Sequence, residues 1–215
     1  MCGRFVQATG AKQLSERMDL PSGSLFDRPR FNVAPTTPIA AIRESRNGGR
    51  ELVALKWGLI PSWSRDGKGF INARSETAAE KPTFRSAFKK RRCLIPADAF
   101  YEWQKKKDGT KQPFAILLKG AEPFAFAGLW EVWTNHESGE EIESCTILTT
   151  EANKLMKPIH DRMPVILPED DYALWLDKAD ASVFKPYDPK GMEAYVISTY
   201  VNNPRNEGPK CAAPL

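Results

Sequence analysis

Short hydrophobic runs recur along the chain, separated by polar segments that contain glycine or proline. Runs of this length that are rich in β-branched and aromatic residues are typical of β-strands. They predict seven strands, at Pro38–Ile42, Leu52–Trp57, Phe114–Leu118, Phe124–Trp133, Cys145–Thr149, Pro164–Leu167 and Tyr195–Thr199. Three polar segments predict hairpin tips or surface loops, at Gly48-Gly49, Asp66–Gly69 and Lys105–Lys111.

Helical patterns are fewer and shorter than the strand patterns. They predict helices at Ala11–Met18, Ser75–Ala79, Ala152–Met156 and Asp170–Leu176. Ser75 and Glu151 stand where a polar residue favours a helix start. Because strands predominate and no linker or repeat divides the chain, we expect residues 1–215 to form one α+β domain with a strand-rich core.

Composition narrows the class of protein without fixing its function. Hydrophobic residues make up 41% of the 215 and charged residues 27%, as in a globular protein. The net charge of +4 is compatible with a polyanionic partner but does not require one. No run reaches transmembrane length and the start lacks the apolar run of a signal peptide, so we expect an intracellular protein with no membrane partner.

The four cysteines, Cys2, Cys93, Cys145 and Cys211, are widely spaced. This spacing indicates neither a zinc site nor a disulfide scaffold, so we expect reduced thiols and no bound metal. Cys2 differs from the others because removal of Met1 would give one residue both a free α-amine and a thiol. An α-amine has a pKa of about 7.7–8.0, so part of it is unprotonated near neutral pH and can condense with an aldehyde. The alternative is that Cys2 is a small buried residue without reactivity.

Further candidates lie in short segments whose residue types fit both a chemical and a structural role. Asn72 and Arg74 stand where a strand-like run enters a helix start, which suits phosphate binding or an ordinary Arg–Glu surface pair. Glu102, between two aromatic residues on an apolar strand, is either desolvated with a raised pKa or turned outward to water. His160 is a candidate for proton transfer, or a structural histidine.

Aromatic residues near Pro61 also have two interpretations. Trp63, beyond the proline, is expected to be exposed and able to stack on a base, whereas Trp57 on a predicted strand is expected to fill the core.

Six motifs in order along the chain closely resemble those of the SRAP family, the SOS response-associated peptidases or abasic-site processing proteins. They are Cys2-Gly3-Arg4-Phe5, Asn32-Val33-Ala34-Pro35, Trp57-Gly58-Leu59-Ile60-Pro61, Ile71–Thr77, Phe100-Tyr101-Glu102-Trp103 and Ile159–Pro164. The resemblance implies a single α+β domain with a strand-rich, barrel-like core, a few short helices and a basic groove for single-stranded DNA. We also expect a monomer without cofactors, located in the cytoplasm and at the nucleoid when bound to DNA.

The resemblance further assigns roles to individual residues. It implies that Cys2, once Met1 is removed, forms a thiazolidine with the ring-opened deoxyribose of an abasic site. Asn72 and Glu102 are implied to assist at the amine and carbonyl, and His160 to donate a proton to the sugar. The DNA contacts that it implies are Arg4, Trp63, Arg74, Thr149 and Arg162.

Three other functions fit the same residues. An N-terminal-nucleophile amidohydrolase also begins with a cysteine whose amine acts as a base. A peptidase would use Cys2, Glu102 and His160 to cleave a peptide bond, such as the one after Met1. A passive single-strand binding module would use only the aromatic and basic residues.

Overall fold

The structure of the protein, a computed structural model, describes residues 2–18, 20, 28–45 and 47–215. Its strands are β1 (Arg4–Gln7), β2 (Arg30–Val33), β3 (Pro38–Glu44), β4 (Arg50–Trp57), β5 (Asn72–Arg74), β6 (Arg92–Ala97), β7 (Ala99–Lys105), β8 (Lys111–Leu118), β9 (Phe124–Thr134), β10 (Glu141–Glu151), β11 (Arg162–Pro164), β12 (Ile166–Leu167) and β13 (Met192–Val196). Its α-helices are α1 (Gly10–Arg17), α2 (Ser75–Ala78), α3 (Arg85–Lys90) and α4 (Tyr172–Lys178).

Five strands close into a barrel. The order β10-β4-β3-β6-β9 returns to its start because β9 also pairs with β10. The β4–β10 pairing is parallel, and the other four pairings around the barrel are antiparallel. This closure confirms the expected α+β fold with a barrel-like core.

Strands β3 and β6 of the barrel are buried on both faces over most of their length, and alternate residues enter different clusters. On β6, Cys93 and Ile95 point into one core, whereas Leu94 lies in a second core with residues of α3 and α4. When successive side chains of a strand enter two different cores in turn, the strand is hydrophobic at every position. The uninterrupted hydrophobic runs of the sequence therefore reflect a barrel that is filled inside and covered outside by helices.

A second sheet, in the order β13-β8-β7-β1-β2, carries the N-terminal segment. Arg4 pairs with Tyr101 and Phe5 with Phe100, in antiparallel register. This register directs the residues before Arg4 towards Glu102 on β7.

The predicted helix Ala152–Met156 is wrong. The chain forms turns there, and Glu151 ends strand β10 instead of starting a helix. Asn153 explains the difference, because its Oδ1 accepts the Met156 N–H at 3.0 Å while its Nδ2 donates to Tyr187 O at 2.7 Å. A side chain that binds nearby backbone competes with helix formation, and Pro158 disfavours a helical conformation at the residue before it.

The other predicted elements are present with shifted ends. The run Pro164–Leu167 is split at Val165 between β11 and β12, and β13 ends at Val196 before a 3-10 helix over Thr199–Asn202. Helix α2 begins at Ser75 as expected, although no side chain makes a capping hydrogen bond there. None of the helices in the described residues is long and apolar enough to cross a membrane.

Candidate active site

Cys2 lies immediately before β1 and is completely buried, at 0% exposure. Its Sγ is 3.8 Å from Arg4 O. Burial raises the pKa of the Cys2 thiol well above its ordinary value, and the negative charge of Glu102 raises it further. The thiol is therefore protonated near neutral pH.

Asn72 holds the Cys2 backbone from the barrel side. It is the first residue of β5, which β10 positions in parallel register with Ile147 opposite Asn72. Its Nδ2 donates to Cys2 O at 2.8 Å. The buried Oδ1 has no hydrogen-bond partner among the described residues, so an acceptor remains available beside Cys2.

Glu102 projects inward from β7, opposite Phe114 in the pairing with β8. Only 2% of its surface is exposed, so the interpretation in which it faces water is wrong. Burial raises the pKa of the carboxyl, and the positive charge available on His160 opposes that rise. Glu102 therefore interacts electrostatically with both the Cys2 thiol and His160.

His160 lies on the turn that leads into β11 and is partly buried. Its Nδ1 accepts the Arg162 backbone N–H at 3.0 Å and also lies 2.8 Å from Asp161 Oδ1. The structure links the four residues that the sequence proposed for chemistry through the Asn72–Cys2 hydrogen bond and through the electrostatic interactions of Glu102 with Cys2 and with His160. Among the described residues no cluster of three or more His, Cys, Asp or Glu side chains could hold a metal ion.

Arg162, on β11, is fixed on both sides of its guanidinium. Nη1 and Nη2 donate to Glu76 Oε1 and Oε2 at 2.6 and 2.9 Å, and Nη2 also donates to Thr149 O at 2.6 Å. The hydrogen bond from Arg162 lowers the pKa of Glu76. From the sequence, Glu76 was expected only as the partner of a local Arg–Glu surface pair, and its pair with Arg162 was missed.

Arg74 and Thr149, two other predicted DNA contacts, differ in their exposure to solvent. Arg74 is exposed at the end of β5, and Glu76 pairs with Arg162 rather than with Arg74. Thr149 has 0% exposure, and its hydroxyl donates to Ala73 O at 3.3 Å. Thr149 therefore supports Arg162 through its carbonyl and its hydroxyl, which accepts from Arg162 Nη2 at 3.4 Å, and its side chain does not reach the surface.

Arg4 is anchored to the C-terminal part of the chain. Its Nη1 donates to Asn32 Oδ1 at 2.7 Å and to Val201 O at 2.9 Å, while Nη2 is 3.4 Å from Asn202 O. Asn202 Oδ1 also accepts the indole N–H of Trp103 at 2.8 Å. These bonds fix the strand that follows Cys2; Arg4, Asn32 and Trp103 lay in sequence motifs, whereas Val201 and Asn202 did not.

The aromatic residues near Pro61 separate as expected. Trp57 is fully buried, and its Nε1 donates to Ile71 O at 2.9 Å. Trp63 is 61% exposed. Phe70 is 39% exposed and packs edge-on against Phe84, with ring centroids 5.9 Å apart. The Trp63–Phe70 loop thus presents two aromatic surfaces to solvent.

Comparison with known proteins identifies close relatives over nearly the whole chain. The family model described as SOS response associated peptidase (SRAP) matches residues 1–204. Abasic site processing protein YoaM of Bacillus subtilis is 45% identical, with 96% of this chain and 95% of that protein covered. Abasic site processing protein HMCES of Xenopus tropicalis is 32% identical, with 87% and 67% covered. A crystal structure of a protein from Bacteroides thetaiotaomicron is 29% identical and superimposes with a TM-score of 0.88, with both chains covered completely.

Proposed function

The chain belongs to the SOS response associated peptidase (SRAP) family, and from this we propose that it captures abasic sites in single-stranded DNA through a covalent bond to Cys2. The observation that carries the proposal is the linked arrangement of four residues, in which Asn72 and Glu102 both act on Cys2 and His160 acts on Glu102. Asn72 binds the Cys2 carbonyl directly, and the charge of Glu102 acts on both the Cys2 thiol and His160. The proposal concerns the chain from which Met1 has been removed; Met1 itself lies outside the described residues.

The reaction begins on the sugar. An abasic deoxyribose is mostly a closed hemiacetal, and opening it breaks the C1′–O4′ bond while the C1′ hydroxyl loses its proton and O4′ gains one. His160 donates the proton to O4′. The unprotonated α-amine of Cys2 then adds to the C1′ aldehyde carbon, and loss of water gives an imine.

Ring closure makes the adduct durable. The Cys2 sulfur bonds to the imine carbon, the C=N electron pair moves to nitrogen, and nitrogen takes the proton that sulfur releases. The product is a five-membered thiazolidine, and the overall change is the loss of one water from the amine, thiol and aldehyde. This order fits a buried thiol whose pKa is raised, because the sulfur reacts second and as the protonated thiol.

Glu102 and Asn72 assist at nitrogen. A carboxyl whose pKa is raised by burial lies closer to the pH at which it exchanges protons efficiently, so Glu102 can accept a proton from the amine and return one to the departing water. Asn72 orients the residue through Nδ2, and its buried Oδ1 can accept an N–H bond from the amine. Both groups are held on strands, which fixes their positions.

DNA recognition uses the exposed groups around this centre. Trp63 offers a surface for stacking bases, and Arg74 an exposed cation for a phosphate. An abasic nucleotide has no base to unstack, so it enters a narrow site at lower cost than an intact nucleotide. We assign the protein to the cytoplasm, at the nucleoid when bound to DNA, and expect it to act as a monomer.

The test is a denaturing gel with a single-stranded oligonucleotide that carries one abasic site. Wild-type protein lacking Met1 should give a shifted band without any reductant, and intact DNA should give none. Cys2→Ser keeps the α-amine but not the thiol, so it should give a band only when borohydride reduces the imine. Absence of a wild-type band, with Met1 removal verified by mass spectrometry, would refute covalent capture.

Release of Met1 by the same residues is a second candidate activity, which the peptidase in the family description favours. Hydrolysis would break the amide between Met1 and Cys2, with water supplying the hydroxyl to Met1 and the proton to the new amine. In a translation system without methionine aminopeptidase, wild-type chain should lose one methionine while Glu102→Gln retains it. Assays of glutamine hydrolysis on the mature protein test the amidohydrolase alternative.

A further inference from the structure

Nδ1 of His160 has two polar neighbours that require opposite protonation states. The Arg162 backbone N–H, 3.0 Å away, needs a lone pair on Nδ1. The Asp161 carboxylate, with Oδ1 2.8 Å away, needs a proton on Nδ1, because two lone pairs at that distance repel. Only one of the two bonds can form in any protonation state of the ring, so these two neighbours favour different protonation states of Nδ1.

Of these two neighbours, the Asp161 carboxylate is expected to interact more strongly with Nδ1 of His160. A hydrogen bond to an ionised acceptor is roughly twice as strong as one between neutral groups, and its distance here is also the shorter of the two. The Asp161 side chain is largely exposed, which weakens this advantage through solvent screening. The other charged groups near the ring are Glu102 on β7 and Arg162, whose guanidinium is neutralised by Glu76.

We propose that Asp161 is a positioning residue that holds the proton on Nδ1 of His160, so that Nε2 is the nitrogen that exchanges a proton with the deoxyribose. In this arrangement the cationic ring donates from Nε2 to O4′ and becomes a neutral ring that still carries its Nδ1 proton. If Asp161 were absent, the Arg162 N–H would take the Nδ1 lone pair, and the neutral ring would keep its proton on Nε2. The role in sugar opening rests on the proposed function, whereas the position of the proton does not.

The proton position is directly measurable by ¹⁵N NMR of the histidine side chains. The chain has two histidines, and His136 on an exposed turn supplies a reference signal. At alkaline pH, where both rings are neutral, wild-type His160 should show the Nδ1–H form. In Asp161→Asn, whose amide can donate to Nδ1, and in Asp161→Ala, it should change to the Nε2–H form, while the His136 signal stays unchanged.

Crosslinking kinetics provide the second readout. Asp161→Asn should slow adduct formation by about tenfold, less than the roughly hundredfold or greater loss expected when a general acid is removed outright. Asp161→Glu, which retains a carboxylate, should restore part of both the Nδ1–H signal and the rate. Affinity for intact single-stranded DNA should change by less than the rate does.

Each outcome distinguishes this proposal from the proposed function. If the His160 ¹⁵N signals are the same in wild type and Asp161→Asn, the positioning role is overturned, whatever the gel shows. If they change while wild-type protein forms no adduct, the positioning role stands and covalent capture fails. If they change but the adduct forms at the wild-type rate, Nε2 of His160 is not the proton donor, and the link to sugar opening is overturned.

Discussion

Arg162 and Glu76 form a two-point ion pair in which both terminal nitrogens of the guanidinium meet both carboxylate oxygens, at 2.6 and 2.9 Å. The planar fork of arginine binds a phosphate in the same manner. Glu76 therefore occupies the positions that a DNA phosphate would use, if Arg162 contacts DNA as the family resemblance implies. We therefore expect the Glu76 carboxylate to compete with a DNA phosphate for this arginine.

Glu76→Gln is expected to tighten binding of intact single-stranded DNA by about threefold at low salt, since it removes a negative charge and a competitor from the fork. Fluorescence anisotropy over a salt series measures this effect, which should shrink as salt rises. Glu80→Gln is the matched control, because it makes the same charge change at an exposed position just beyond α2. Equal tightening in both variants would indicate only a general charge effect and would argue against competition at Arg162.

Asn72 gives a second prediction because its two amide atoms have different roles. Asn72→Asp replaces the Nδ2 donor to Cys2 O by an oxygen, so the bond becomes a repulsion, and the added charge lies near Glu102. Adduct formation should fall by about a hundredfold, as expected when a reacting group is displaced by about 1 Å. Binding of intact DNA should change little by comparison. A loss of DNA affinity as large as the loss of rate would show that Asn72 acts in binding and not at Cys2.

The sequence predicted the barrel better than it predicted the smaller sheet. Long strands such as β9 and β10 have hydrophobic residues on both faces, and this signal survives in a single sequence. The strands β1 and β2 have four residues each and include Arg4, Gln7, Arg30 and Asn32, so their pattern is weak. Strand β6 belongs to the barrel but was not predicted. It contains Pro96, and a proline normally argues against an interior strand.

The candidate residues were found in the sequence, but their contacts were not. Asn72 and Cys2 are 70 positions apart, and only the register of β5 on β10 brings the Asn72 amide to the Cys2 carbonyl. The sequence suggested an Arg–Glu pair within the segment around Arg74, yet Glu76 pairs with Arg162, 86 positions away. Local spacing cannot reveal such a pair because it depends on how β11 and β5 both associate with β10.

The buried carboxyl of Glu102 is expected to lower stability near neutral pH while it supports activity. Its pKa is raised by burial, so between the unfolded and folded pKa values the folded state binds more protons than the unfolded state. The free energy of unfolding contributed by this group therefore falls as pH rises through that window. Glu102→Gln should have the higher Tm near neutral pH, with the difference shrinking on acidification, and should crosslink about 10²-fold or more slowly.

Thermal melts of both proteins over a pH series check the stability part. Glu193→Gln, on the exposed side of β13, controls for loss of a carboxylate without burial and should leave the pH dependence unchanged. A Glu102→Gln variant that is less stable than wild type near neutral pH would mean that contacts of the carboxylate outweigh its desolvation.

Substitution of Gly128 on β9 is expected to cause a steric clash inside the barrel. A Cβ at this position would lie 2.8 Å from both Cys93 Sγ and Ile95 Cδ1, which is closer than nonbonded atoms approach. Gly128→Ala should therefore destabilise the protein by about 1–3 kcal/mol. Ile95→Val removes the clashing Cδ1, so the double variant should be less destabilised than the sum of the two single variants. Additive losses in urea unfolding would place the strain elsewhere.

Arg92 carries the largest predicted loss of stability, because one guanidinium serves the ends of two helices. Nη1 donates to Phe88 O and Lys89 O in the last turn of α3, at 3.0 and 2.7 Å. Nε and Nη2 donate to Trp175 O and Leu176 O near the end of α4, at 2.6 to 3.0 Å. These carbonyls belong to the last four of each helix, which have no partner within it.

Arg92→Met keeps most of the apolar volume but leaves these carbonyls buried without a donor. We expect a loss of about 3 kcal/mol in the free energy of unfolding, since each unsatisfied buried acceptor costs about 1–3 kcal/mol and part of the loss is recovered by water. Arg85→Met, at the exposed start of α3, is the matched control and should change stability by about 0.5 kcal/mol or less. Because Arg92 lies on the helix-covered face of the barrel, away from Cys2, the folded fraction of Arg92→Met should crosslink at the wild-type rate. A slower rate in that fraction would mean that the ends of α3 and α4 help to shape the site.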